Sequence, residues 1–321
     1  MNECAPIAVS VYNRINTFKK CITALRENYL AINSELYVIS DASSQPKDDK
    51  LVDEIRGFAK GISGFKQVHL IFREKNIGGF ESVVQAEKMI LEKHEKIIFL
   101  EDDVIASKSF LYFLNAGLTH LKENKSIFSI SSYCPPPAYT EKWKSRILIA
   151  PFHCPWGYAT WKDRYQLVNA RQNPYLTVLK DKSIIKYITR HAPFMLEALR
   201  SDYFNDTGCA DVRISFQMML QGMKSAYPAV SLSRNIGFDG SGQKMGVNQE
   251  LMCQSVCDDY EVVSWELIDD QSFQTRFVGH GAEGNQQMII STLYRLGLRD
   301  QLDSLVTTAR RIKRQVTDKS K

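Results

Sequence analysis

Five short apolar runs in the first 131 residues, separated by amphipathic stretches of helical period, restrict this chain to an α/β sheet fold. The runs are Ile7-Ala8-Val9-Ser10-Val11-Tyr12, Leu36-Tyr37-Val38-Ile39-Ser40, Val68-His69-Leu70-Ile71-Phe72, Lys96-Ile97-Ile98-Phe99-Leu100 and Ile127–Ser131. The spacing between them predicts helices over residues 16–30, 49–60, 79–93 and 107–122. Phe18, Ile22 and Leu25 share one face of the first, and Phe110, Leu114, Leu118 and Leu121 one face of the last. Strands joined by helices of that length run parallel, with helices covering both faces of the sheet.

Each of the first four runs ends in a polar or glycine-bearing tip: Asn13-Arg14, Asp41, Asn76 to Gly79, and Glu101-Asp102-Asp103. In a parallel sheet these tips gather at the carboxyl edge, where ligands bind. The acidic triplet is the most telling of them. Adjacent carboxylates repel unless a cation sits between them, so a divalent metal gripping a diphosphate is one reading. A solvated acidic turn leading into a helix is the other. Gly78-Gly79 fits either a turn needing positive φ or a close backbone approach to a ligand. Neither GxGxxG after the first strand nor GxxxxGK[ST] occurs, which disfavours dehydrogenase and P-loop chemistry.

Beyond residue 133 the alternation stops, and we expect a division into residues 1–133, 134–248 and 249–321. Cys134-Pro135-Pro136-Pro137 reads as a rigid loop, followed by a short strand over residues 146–150 and the aromatic segment from Pro151 to Trp161. Helical material to about Arg200 gives way to a polar loop with Asp202, Asp206 and Asp211, where a helix over residues 211–221 begins. A strand over residues 224–230 leads to the glycine-punctuated loop of residues 235–242. From Leu298 the apolar positions Leu302, Leu305, Ala309, Ile312 and Val316 give an amphipathic helix with coiled-coil character.

Residues 310–321 carry all of the chain's formal net charge of +5, so no body-wide basic surface for nucleic acid exists. The C-terminal helix fits an anionic membrane surface, a dimer contact or packing on its own domain. Seven scattered cysteines, no apolar stretch of about 18 residues and no secretion signal lead us to expect a cytoplasmic protein with reduced thiols.

Over roughly residues 5–245 the chain resembles glycosyltransferases of the GT-A fold. It looks closest to a bacterial sugar-transferase group similar to the eukaryotic N-acetylglucosaminyltransferase I type. The resemblance is carried by Val9-Ser10-Val11-Tyr12-Asn13-Arg14, Ser40-Asp41, Asn76-Ile77-Gly78-Gly79, Glu101-Asp102-Asp103, Pro155 to Trp161, Asp211-Val212-Arg213 and Asn235 to Gly242. It implies a GT-A-type, Rossmann-like, mostly parallel sheet with a C-terminal helical extension. It also implies a metal-dependent, inverting transfer from a nucleotide-sugar, chiefly a UDP-sugar, to a polysaccharide or lipid-linked oligosaccharide.

By that resemblance Asp103 coordinates Mn²⁺ or Mg²⁺, and Asp102, with Glu101 beside it, holds donor sugar or ribose. Arg14 faces the diphosphate or base, and Asp41 accepts from the uracil N3–H. Gly78 and Gly79 admit the nucleotide-sugar, Trp156 and Gly157 meet a sugar, Trp161 either stacks on one or plugs a core, and Asp211 is the base. The group often carries a histidine after Gly-Ser-Gly. Here Gln243-Lys244 follows, so Lys244 is either a phosphate contact or a solvated loop lysine. A helix N-cap is the alternative reading of both Asp41 and Asp211, and Asp202 and Asp206 are rivals for the base. A sugar nucleotidyltransferase and a non-catalytic sugar- or nucleotide-binding protein are the competing functions.

Overall fold

The computed structural model describes residues 3–136, 146–240, 247–262, 264–274 and 284–301. It divides into two compact units, one of Met1–Gln172 with Ala210–Arg276, the other of Asn173–Cys209 with Phe277–Lys321.

The first unit opens with β1 (Ile7–Val11), α1 (Ile15–Arg26), β2 (Glu35–Ser40), α2 (Asp49–Lys60), β3 (Gln67–Phe72), α3 (Gly79–His94) and β4 (Lys96–Glu101). β5 (Val104–Ala106), α4 (Phe110–His120), β6 (Ile127–Ser131), β7 (Ile147–Ala150), β8 (Tyr158–Trp161) and α5 (Lys162–Tyr165) follow. Up to β7, the expected elements begin and end within a few residues of where the sequence puts them. The reason is local: each apolar run is too short for a helix, and each following stretch has a single apolar face. Phe18, Ile22 and Leu25 are fully buried on α1, and Phe110, Leu114, Leu118 and Leu121 are buried along α4, as their spacing requires.

β1 lies between β2 and β4 and is parallel to both, and β3 adds to β2 in the same sense. The chain therefore leaves β1 toward one edge and returns on its other side with β4. That reversal opens a crevice at the carboxyl ends of β1 and β4. After the second unit the chain returns through α9 (Ala210–Leu220), β9 (Lys224–Pro228), β10 (Ser233–Asn235), α10 (Gln249–Met252), β11 (Leu267–Ile268) and α11 (Gln271–Gln274). The nine strands of the main sheet stand in the order β11-β7-β9-β6-β8-β4-β1-β2-β3. Five of its strand pairings are parallel, and β8 against β4 and β6, with β7 against β9, are antiparallel. The sheet is thus the mostly parallel α/β sheet flanked by helices that was expected.

β8 was not expected. Four residues buried on both faces show no alternation, and the surrounding Pro-Trp-Gly reads as a loop. Packed between β4 and β6, the segment becomes a central strand, with Phe99 opposite Tyr158 and Lys96 opposite Trp161. Of the two readings of Trp161, the core one holds. Its indole N–H donates to the Leu118 carbonyl at 3.1 Å, and the Arg164 guanidinium lies 4.0 Å from the ring centroid.

Glu87 of α3 is 4% exposed, and its carboxylate accepts from the Tyr158 hydroxyl and, at 2.8 Å, from that of Tyr165. Burial pushes its pKa up from 4.5 to about 7, against the pull of the two hydroxyls. Between those values the folded chain keeps a proton that the unfolded chain releases. The associated stability is complete below the unfolded pKa and is lost as pH rises through about 7. Glu87→Gln should therefore be nearly neutral in urea unfolding at about pH 4 and more stable than wild type by about 3 kcal/mol at about pH 8.5. An equal difference at both pH values would assign the titration to another group.

The second unit contains α6 (Tyr175–Val178), α7 (Lys182–His191), α8 (Pro193–Asn205) and α12 (Gly284–Arg295). Arg299 pairs with Glu197 through both carboxylate oxygens at 2.9 and 2.7 Å, and Asp300 accepts from Tyr175 and Arg200, each at 2.8 Å. The amphipathic helix expected beyond Leu298 and its basic end lie almost wholly outside the described residues, as does Lys244. Among the described residues no helix is long and apolar enough to cross a membrane.

Candidate active site

The turn after β1 is fastened before it delivers its cation. The Tyr12 hydroxyl and Asn13 amide donate to the Asp48 carboxylate at 3.0 and 3.2 Å. Arg14 then precedes α1, and its Nη2 donates to Asp102 Oδ1 at 2.5 Å and to Asp103 Oδ2 at 2.8 Å. Those two carboxylates leave the end of β4 in a tight turn, and their residues are 4% and 6% exposed. The acidic triplet is thus neither a solvated turn nor a helix start, since α4 begins only at Phe110.

The electrostatics follow from four acids near one guanidinium. Burial pushes Asp102 up to about 7, with Arg14 opposing and Asp103 adding to the rise. Burial likewise raises Glu101 to about 8, helped by the charges of Asp103, Asp102 and Asp211. Burial works to lower the Arg14 pKa, and Asp102 and Asp103 overcome it. The cluster is under-neutralised, and Asp102 Oδ2 is a buried oxygen with no hydrogen-bond partner among the described residues. A hard divalent cation fits such a donor set. Among the described residues no three His, Cys, Asp or Glu side chains converge on one point. The protein would therefore contribute one or two carboxylates, and phosphate and water the remaining ligands.

Asp103 is also held from behind. β10 pairs antiparallel with β5, setting Asn235 opposite Val104. Asn235 Nδ2 donates to Asp103 Oδ1 at 3.2 Å, and the Ile236 N–H donates to the Asp103 carbonyl at 2.8 Å. Gly237 closes the clasp: its N–H donates to Asn235 Oδ1 at 2.7 Å, and a Cβ built on it would fall onto Asp103 Oδ2 and 3.0 Å from Arg14 Nη1. The sequence marks residues 235–242 as a glycine-punctuated loop and assigns no role to Asn235 or Gly237. Ser233-Arg234-Asn235 has no strand signal of its own, and only the Asn-Ile-Gly spacing hinted at a tight turn.

Asp41 stands at the tip of β2 and is not a helix cap, since the next α-helix starts at Asp49. Its carboxylate accepts from the N–H of Ala42 at 2.9 Å and of Ile77 at 3.2 and 3.3 Å, tying the β2 tip to the loop before α3. Gly78 in that loop has φ +85°, and both Gly78 and Gly79 would have open space around a Cβ.

Trp156 packs edge-on against Tyr133 and Phe238, with centroids 4.8 and 5.4 Å away. Gly157 has φ +95°, and a Cβ there would lie 2.5 Å from Ser132 Oγ and 2.7 Å from Phe110. Its lack of a side chain is thus required by packing and backbone conformation, whatever a sugar asks of it.

Asp211 is the second residue of α9, and its charge raises Glu101 and also the buried Cys154 thiol, whose own burial acts first. The Asp211 carbonyl accepts from Ser215 Oγ, which accepts from the His153 N–H, so the first turn of α9 is tied to the aromatic segment. Asp202, in the other unit, is 1% exposed, and its carboxylate accepts from Asn173, Thr207 and the Cys209 N–H. Those bonds hold the loop after α8. Asp206 ends α8 in the left-handed conformation, φ 46°.

Residues 7–183, more than half of the chain, match the family model described as glycosyl transferase family 2. The chain belongs to that family. This glycosyltransferase shows distant similarity to solved structures. The mannosyltransferase PcManGT from Pyrobaculum calidifontis, in complex with GDP-Man and Mn²⁺, is 14% identical over 50% of this chain and 44% of its own, with a TM-score of 0.35. S. aureus TarS 1-349 is 11% identical over 72% and 59%, with a TM-score of 0.40. GalNAc-T7 with UDP, GalNAc and Mn²⁺ is 12% identical over 73% and 44%, with a TM-score of 0.44. The glycosyltransferase thus spans less than two thirds of each of these chains. No curated protein sequence matches it.

Proposed function

We propose that this glycosyltransferase transfers a sugar, with inversion, from a UDP-sugar to a hydroxyl of a polysaccharide or lipid-linked oligosaccharide, using Mn²⁺ or Mg²⁺. The observation that carries the reading is the pair of buried carboxylates, Asp102 and Asp103, bridged by Arg14 at the crevice beside β1 and β4. Such a cluster suits a ligand that brings both a cation and an anion.

Asp103 would hold the cation, with Asp102 next to it. The bound cation would neutralise charge developing on the departing diphosphate. Arg14 would turn its remaining donors to phosphate oxygens, which its planar fork matches. Asp41 keeps acceptor capacity beyond its backbone bonds and would take the uracil N3–H. Gly78 and Gly79 would leave room for the nucleotide-sugar, Trp156 and Gly157 would border the sugar, and Lys244 would meet phosphate.

Asp211 would act as base. Its carboxylate takes the proton from the acceptor hydroxyl as that oxygen bonds to the anomeric carbon from the far side. The bond from the anomeric carbon to phosphate breaks, and its electron pair leaves with the diphosphate. Glu101, with its raised pKa, would orient its neighbours. A lipid-linked acceptor would accord with a cytoplasmic enzyme whose basic residues 310–321 rest on an anionic membrane face.

Thermal shift with UDP, GDP and dTDP, each with and without Mn²⁺, tests the reading, because a ligand that binds only the folded state stabilises it. UDP with Mn²⁺ is expected to give the largest rise in Tm. The proposal fails if no nucleoside diphosphate stabilises the protein when metal is present.

A further inference from the structure

The Asp103 carboxylate is oriented by groups from a distant part of the chain. One oxygen, Oδ2, meets Arg14, and the other, Oδ1, meets the Asn235 amide. The amide cannot serve with its ends exchanged. Its oxygen is taken by the Gly237 N–H at 2.7 Å, so its nitrogen must face Asp103. Asn235 is itself buried, 6% exposed, and pinned by the β5–β10 pairing. Gly237 bounds the carboxylate on the remaining side, where any side chain would enter the volume of Oδ2.

We propose that Asn235 and Gly237 are positioning residues for Asp103. Asn235 fixes the plane of the carboxylate through a hydrogen bond, and Gly237 leaves the space that plane requires. The inference rests on Asp103 holding the cation. The physical basis is general: carboxylates that ligate metals are themselves hydrogen-bonded, and those outer partners set how well the ligand oxygen is aimed. An aspartate at 235 would keep the bond from the Gly237 N–H but put a second negative charge against Asp103. A glutamine would be one methylene too long for the turn that Gly237 closes. Asparagine meets both demands.

The test is calorimetric titration of the full-length protein with Mn²⁺ in the presence of UDP, with circular dichroism to verify folding. Asn235→Ala should weaken Mn²⁺ binding about ten- to a hundredfold. Gly237→Ala, whose Cβ would push first on the Asp103 carboxylate and then on Arg14 Nη1, should weaken it in the same range. In an Asp103→Asn background, Asn235→Ala should cause no further loss of UDP affinity with Mn²⁺ present, because its effect passes through Asp103. Wild-type Mn²⁺ affinity in Asn235→Ala, with binding lost in Asp103→Asn, would overturn the positioning role and leave the metal reading intact. So would additive losses in the double variant. Absence of Mn²⁺ binding by the wild type would overturn the metal reading and the positioning role together. If Gly237→Ala does not fold, Asn235→Ala and the double variant still decide.

Discussion

Asp211→Asn is expected to keep UDP and Mn²⁺ binding and to lose about 10²–10⁴-fold in sugar transfer, the usual contribution of a positioned general base. The substitution preserves shape and removes the negative charge and with it the ability to accept a proton. Asp211 lies in the first turn of α9, whose backbone is held through Ser215 to the aromatic segment, so the scaffold should survive. One side effect gives an internal control. Asp211 is among the charges that raise Glu101, so its removal should lower the Glu101 pKa. Transfer measured as diphosphate release, beside UDP affinity from calorimetry, separates the two roles. Equal losses of binding and transfer would remove Asp211 from the base role and make it a ligand or a structural group.

Asp103→Asn is expected to abolish the Mn²⁺-dependent part of the thermal stabilisation by UDP. At a ligand concentration a hundredfold above Kd the whole stabilisation by UDP with Mn²⁺ is about 2.7 kcal/mol in the wild type, which is an upper bound on that part. Without ligand, the loss of one clustered anion is offset by the loss of one acceptor, because an amide oxygen can still accept from Arg14 but its nitrogen then faces Asn235 Nδ2. The response to Mn²⁺ itself is the distinctive readout, since a residue holding the fold alone would lower stability equally with and without metal. An unchanged response to Mn²⁺ would mean that another group holds the metal.

Much of the fold is legible in the sequence. The strands β1, β2, β4 and β6 each bury a nearly unbroken apolar run, and α1 and α4 each show one apolar face, so local pattern and tertiary burial agree. β8 was illegible because a four-residue central strand has neither alternation nor length, and its pairing with β4 and β6 is non-local. β5 and β10 were illegible for the same reason, with only three residues each. At the site, the acids at the end of β4 and Arg14 after β1 were found as strand tips. Their bonding to each other was not, because 88 residues of sequence separate Arg14 from Asp102.

From its sequence alone this protein is a parallel α/β chain with charged tips on one sheet edge, and its motifs point to sugar transfer. Periodicity determines the fold class because burial on two faces or on one is written into consecutive residues. Only the tertiary structure decided that Arg14 bridges Asp102 and Asp103, that Asp41 is clasped by the Ile77 N–H, that Trp161 belongs to the core, and that Asn235 and Gly237 press on Asp103. Each of these depends on which strands become neighbours. Pairing is settled by the packing of the whole sheet, where a buried charge must find its partner wherever the chain brings one near.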